Sequence, residues 1–317
     1  MIIVQKNLIE KSDDMKGINI YHVDAFTDKP FGGNSAGVVP NAEFISCVHM
    51  QSIAKELNLS ETAFLMPPQS TAADFRIRYF TPSSEIDFCG HATVATAWLM
   101  GTIGEWATKK NMITFETNIG HVPVKFEIKE NSLRSVIMTQ IEPKVKKIDT
   151  ALVELANYVG LKKDDIETDY PIRLGFTGNW HLLIPVKTRK AIDEAIPQID
   201  KLKKHNKSHN ICTTHLFTFD SQEEDCLLYT RDFAPAVGIP EDPVTGAANG
   251  ALAGYLILEG ILSAAEAHTF NIAQGHKVGR PGKVEIIISF IDHKPIIKVG
   301  GSAVPTIAGT LLVEEEK

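Results

Sequence analysis

The sequence predicts an α+β fold made of two pseudo-repeated domains, each a β-barrel or roll around a central helix. Three observations predict it. Three blocks recur in order: Gly33-Asn34 with Val38-Val39-Pro40 returns as Gly178-Asn179 with Leu183-Ile184-Pro185, Arg78-Tyr79-Phe80-Thr81-Pro82 as Arg231-Asp232-Phe233-Ala234-Pro235, and Cys89-Gly90-His91-Ala92 as Thr245-Gly246-Ala247-Ala248. Two copies of about 150 residues are too few and too long for a solenoid and read as two related domains. Strand-like runs outnumber helical ones in both halves. Finally, the helix that opens each third block carries no charged residue, and a helix apolar on every side is wrapped by other structure.

The elements follow in order. Short apolar or alternating runs bounded by Pro, Gly and Asn predict strands over 19–25, 36–39, 62–66, 75–80, 112–117 and 121–128. Helices are predicted over 46–57, where Val48, Ile53, Ala54 and Leu57 share a face, and over 90–100, a small-residue run stopped by Gly101. The second half repeats the grammar, with strands at 134–138, 181–186, 214–219, 227–233, 283–288 and 295–299. Its helices are predicted at 149–159, at 187–196 or a little beyond, and at 246–258.

Composition narrows the functional classes. The 317 residues are 44% hydrophobic with a net charge of −7, and without a basic stripe the attraction that drives nucleic-acid binding is missing. Lys6, Glu10, Lys11, Asp13 and Asp14 break up the apolar start, so residues 1–17 read as an N-terminal extension of a cytoplasmic protein. No run reaches the roughly 20 apolar residues of a membrane span. The four cysteines, Cys47, Cys89, Cys212 and Cys226, form no C-x-x-C pair, which argues against a disulfide framework or zinc ribbon. His205, His209, Cys212 and His215 have ligand-like spacing, but the first two fall in a Lys- and Asn-rich loop or helix end and the last in a strand. They read as solvated and core histidines, and no metal is expected.

The candidate chemistry sits at the two repeated helix starts. Gly90 and Gly246 expose unpaired N–H groups and the positive end of a helix dipole, ready for a carboxylate. Glu61 stands at a strand entrance after an amphipathic helix and is the acid/base candidate. His91, in the first turn of an apolar helix, is expected to be neutral there. Asp242 lies in Glu241-Asp242-Pro243-Val244-Thr245-Gly246, where an N-terminal stabiliser of the second helix is the plainer reading.

Taken together, Asp24-Ala25-Phe26-Thr27 with Phe31-Gly32-Gly33-Asn34, Ser60-Glu61-Thr62, Asp87-Phe88-Cys89-Gly90-His91-Ala92-Thr93, Asp242-Pro243-Val244-Thr245-Gly246, and Gln274-Gly275 with Gly279-Arg280-Pro281 resemble the PhzF-like (phenazine biosynthesis-like) family from about Ile18 onward. The resemblance implies the diaminopimelate epimerase fold, with the last strand crossing back to the first domain. The domains would then be 18–133 with 306–317, and 134–305. It implies cofactor-free proton transfer on a small-molecule carboxylate, in a homodimer. Carried over by position, Glu61 would move the substrate proton, with His91 and Asp242 as polar partners. Gly90, Thr245, Gly246, Ala247 and Gln274 would line the substrate. Two departures stand out: Ala247 takes a place where the family often has serine, and Thr245 is the repeat mate of Cys89, where related epimerases pair two thiols.

Three functions follow as expectations: an isomerase using Glu61, a two-base racemase or epimerase using Cys89, or a non-catalytic small-molecule binding protein that has kept the fold.

Overall fold

A computed structural model describes residues 15–314. The first copy of the repeat runs through β1 (Met15–Ala25), β2 (Asn34–Val39), helix α1 (Cys47–Leu57), β3 (Glu61–Met66), β4 (Phe75–Phe80), β5 (Glu85–Ile86), α2 (Gly90–Thr102), β6 (Met112–Thr117), β7 (Gly120–Lys129) and β8 (Ser132–Thr139). After β9 (Lys144–Lys146) and α3 (Leu152–Val159), the second copy runs through β10 (Arg173–Phe176), β11 (Trp180–Pro185), α4 (Arg189–Glu194), α5 (Ile199–Ser208), β12 (Thr213–Thr218), β13 (Cys226–Phe233), α6 (Gly246–Leu258), β14 (His268–Gln274), β15 (Gly282–Ile291) and β16 (Lys294–Gly301). Strand β17 (Ala303–Glu314) is the last of the described elements.

Pairing makes the repeat explicit. In the first copy β1 and β2 are antiparallel, β2 and β3 parallel, β3 and β4 antiparallel, β4 and β6 parallel, and β6, β7 and β8 antiparallel in turn. The second copy gives the same alternation through β10, β11, β12, β13, β14, β15 and β16. Each parallel step needs a crossover, and each crossover is helical. Helix α1 and the α4–α5 pair serve the first, α2 and α6 the second. The copies join where β8 pairs with β16, and β17 returns to pair along the whole of β1.

The central helices are wrapped as their composition demands. Helix α2 packs against β1, β2, β3, β7, β8 and β17, and α6 against β9, β10, β11, β15 and β16. Eleven of the thirteen residues of α6 are buried, which fits the absence of charge. Gly250 and Gly254 let it lie close to Gln140 and Pro143, where an added Cβ would stand 3.3 Å from Gln140 Cγ and 2.4 Å from Pro143 Cβ.

Several expectations shift. Strand β1 takes in Met15–Gly17, which the sequence assigns to the extension, while residues 1–14 lie outside the described residues. Strand β8 starts at Ser132 and β17 at Ala303. The helix expected over 187–196 ends at Glu194, and a second one, α5, follows Pro197, whose ring cannot continue a helix. Strands β10, β14 and β17 escape the sequence pattern because Arg173, Asn271 and the alternating Gly309-Thr310 dilute their apolar character.

Candidate active site

The sequence places Glu61 at the first position of β3, just after Asn58 ends α1 in a left-handed conformation (φ 50°). Parallel pairing sets Glu61 beside Ala36 of β2, and its Oε2 comes 3.2 Å from His91 Nε2 in the first turn of α2. His91 is held from several sides. Ser60 Oγ lies 3.4 Å from its Nε2, Cys89 Sγ lies 3.4 Å from its Nδ1, and the Ser35 backbone also bonds the ring.

Burial pushes the His91 imidazole below its ordinary value, against the upward pull of Glu61. The ring is therefore neutral at pH 7, as expected at a helix N-terminus. Burial, with Glu61 close by, pushes the Cys89 thiol well above its ordinary value, so the group is a thiol and not a thiolate. Glu61, Cys89 and His91 offer donor atoms within 4.8 Å of one another, as do Glu223, Asp225 and Cys226. Either trio could converge on a metal ion, although a protonated thiol is a poor ligand at the first. Among the described residues, His205, His209, Cys212 and His215 form no such group: the His205 and His209 rings stack on each other at 4.5 Å, and His215 is committed to Asp232.

The second half supplies the other side. Asp242 forms a bridge with Asp232 of β13, next to the start of α6. Its Oδ1 accepts from Asn34 Nδ2 at 2.9 Å, a contact that ties the first copy to the second, and its Oδ2 lies 2.5 Å from Thr245 Oγ1. Burial first, then the charges of Asp232 and Glu61, push the Asp242 carboxyl up to about 7. The influence of Glu61 on Asp242, and of Asp242 on Cys89, places both helix starts on one electrostatic locus.

The two helix starts share one geometry. Cys89 and Thr245 are extended N-cap residues whose side chains make no capping bond, and the first intrahelical bonds come from Thr93 and Asn249. The amides of Gly90 and His91, and of Gly246 and Ala247, thus have no partner inside their own helices. Gly246 is buried, while Gly90 and Ala247 are half-buried.

Gln274, expected against substrate, is fully buried and its amide is engaged by protein. Its Oε1 accepts from the Thr245 N–H and Asn249 Nδ2, and its Nε2 donates to the Asp242 carbonyl and Thr245 Oγ1. It braces the α6 start. Sequence reasoning gave no role to Asn34, Asp232 or Asn249. The signal for Asp232 was a carboxylate inside the apolar run Cys226–Phe233, where the first repeat has Tyr79.

The comparisons agree with this architecture. The family model described as phenazine biosynthesis-like protein matches residues 23–309. An uncharacterized isomerase of Clostridium acetobutylicum is 35% identical over 93% of this chain and 98% of its own length. The trans-2,3-dihydro-3-hydroxyanthranilate isomerase of Pseudomonas chlororaphis is 29% identical over 92% of this chain and 98% of its own length. The crystal structure of a PhzF-family phenazine biosynthesis protein of Bacillus anthracis superposes with a TM-score of 0.85 at 32% identity, covering 94% of this chain and all of the other. With the duplicated fold, the paired helix starts and these relatives in agreement, the chain belongs to the phenazine biosynthesis-like (PhzC–PhzF) family and is an enzyme of the isomerase class.

Proposed function

We propose that this isomerase moves one proton within a small carboxylate-bearing metabolite without a cofactor, with Glu61 taking the proton and returning it. The observation that carries the reading is the Glu61–His91 contact of 3.2 Å at the start of α2. The imidazole fixes where the Glu61 carboxylate points, and the half-buried setting limits the water that would compete for the proton. The free amides at Gly90–His91 and Gly246–Ala247 are suited to the substrate carboxylate, since two helix dipoles and four N–H groups favour an anion. Ala247 offers its backbone alone, so recognition at that position rests on the N–H. Asp242, on the opposite side, is the second polar group that meets the reacting molecule.

Two-thiol chemistry is disfavoured because Cys89 is held protonated and its repeat mate is Thr245. The reading is tested with a panel of small ring carboxylates, including the compound named for the Pseudomonas chlororaphis relative, assayed in heavy water. Solvent deuterium should enter the product, and Glu61→Gln should lower kcat by about 10³-fold with little change in binding. A rate within tenfold of the parent enzyme would remove Glu61 from the mechanism.

A further inference from the structure

The two copies treat the flank of their central helix differently. Carried along the repeat from Gly90 and Gly246, Trp98 of α2 stands where α6 has Gly254. In the second copy the chain leaving β8 closes onto α6. The Gln140 N–H donates to the Ile297 carbonyl at 2.8 Å, and a Cβ added at Gly254 would stand 2.4 Å from Pro143 Cβ. Because β8 and β16 pair Thr139 with Lys298 and Val136 with Gly301, the counterpart of that hydrogen bond would run from Ser302 to Ser135. Among the described residues it is not made. An indole cannot be covered as closely as a glycine, and the first copy keeps a cavity of about 770 Å³ there, lined by Trp98, by Leu133 and Ser135 of β8, and by Ser302 and the start of β17.

Glu61, His91, Asp242 and both helix starts lie outside the walls of this cavity, which is therefore separate from the reaction site. Its size suits a small molecule, for which pockets run from about 300 to 1,000 Å³. The apolar part of its lining includes Trp98, Leu133 and the exposed ring of Phe31. Its charges balance, with Lys29, Arg134 and Lys283 against Asp28, Asp225 and Glu285. Most are paired: Arg134 Nη1 donates to Glu285 Oε1 at 2.9 Å, and Lys283 Nζ to Asp225 Oδ1 at 2.7 Å. Glu285 is 7% exposed and Ser135 2%, and Ser135 Oγ has no hydrogen-bond partner among the described residues. An unpaired buried hydroxyl costs about 1–3 kcal/mol, so this wall is short of one polar partner. A lone cation or anion entering here would meet as much charge of its own sign as of the other, whereas a molecule carrying both signs matches the lining.

We propose that this cavity is a second ligand site, for a zwitterion with an apolar body such as an aromatic amino acid or its dipeptide, whose ammonium meets Glu285, whose carboxylate meets Arg134 and whose body lies along Trp98. An ammonium beside Glu285 and a carboxylate beside Arg134 turn one ion pair into a closed set of charges, and a polar edge of the ligand completes Ser135. The aromatic face of Trp98 favours both an apolar ring and a nearby ammonium. The inference goes beyond the isomerase reading and does not rest on it.

The test is calorimetry on the full chain with L-phenylalanine and phenylalanylphenylalanine, beside phenethylamine and hydrocinnamate, which each lack one charge. At least one zwitterion should bind with a Kd below about 1 mM, and the single-charge analogues at least about tenfold more weakly. Glu285→Gln should weaken the zwitterion about tenfold without weakening hydrocinnamate, and Arg134→Gln should do so without weakening phenethylamine. Ser135→Leu, which fills the wall, should abolish binding, and Ser135→Ala should weaken it if the leucine variant does not fold. Trp98→Phe should remove the change in indole fluorescence that accompanies binding. Glu61→Gln should leave the affinity unaltered, so failure of this inference and failure of the isomerase reading are told apart. No saturable binding of either zwitterion up to about 10 mM, or binding that the Glu285, Arg134 and Ser135 variants all leave unchanged, would overturn the proposal.

Discussion

At the residue scale, the two acidic groups of the site face different neighbours. Glu61 faces an imidazole, whereas Asp242 faces a second carboxyl in a buried setting that pushes it up to about 7. This has a consequence for stability. Between the ordinary carboxylate range near 4 and about pH 7, the folded protein holds a proton that the unfolded chain has released, so this group makes stability fall as pH rises. Above pH 7 the contribution levels off. Asp242→Asn removes the slope, so the variant should gain stability relative to the parent between pH 5 and pH 8, measured by urea unfolding at both. An unchanged difference at the two pH values would contradict the raised carboxyl.

At the scale of elements, α6 is placed by small residues. A methyl group at Gly254 would stand 2.4 Å from Pro143 Cβ, and a pyrrolidine ring has little room to yield. Helix propensity favours Ala over Gly by about 1 kcal/mol, while overpacking costs about 1–3 kcal/mol, so the steric cost should prevail. Gly254→Ala is expected to destabilise the protein by about 1–2 kcal/mol in urea unfolding. Stabilisation would show that Pro143 shifts freely. Because the same helix starts at Gly246 and Ala247, where the substrate carboxylate is proposed to bind, displacement there should also lower turnover.

At the scale of the molecule, the copies are held together by more than the β8–β16 and β1–β17 ladders. Arg280, in the connection from β14 to β15, reaches back to donate to the Gly32 and Gly33 carbonyls, to Ser35 Oγ and to Asp24 Oδ1. Asp24 is 2% exposed, so deleting the guanidinium strands a buried carboxylate. Arg280→Gln should cost about 2–4 kcal/mol in urea unfolding, since Ser35 and the Phe31 N–H still bond Asp24. It should also raise KM, because Asn34 follows directly after this clamp and touches Asp242. A KM unchanged in a variant of lowered stability would separate the clamp from the site.

Much was legible from the sequence because duplication leaves a pattern that local chemistry preserves. The glycine-led helix starts, the apolar runs of α2 and α6, and the position of Glu61 at a strand entrance each follow from turn chemistry and hydrophobic period. The repeat therefore determined the α+β duplication and the central helices, while the pairing of Glu61 with His91 was implied by the family resemblance of the motifs around them. Contacts between residues far apart in the chain were not legible, since periodicity records which face is buried and not what it meets. Only tertiary structure decided that Asn34 bonds Asp242, that Gln274 is spent inside the protein, and that Asp232 shares a hydroxyl with Asp242. The physical reason is that a buried polar atom takes its role from the partners that satisfy it, and here those partners arrive from strands brought together by folding.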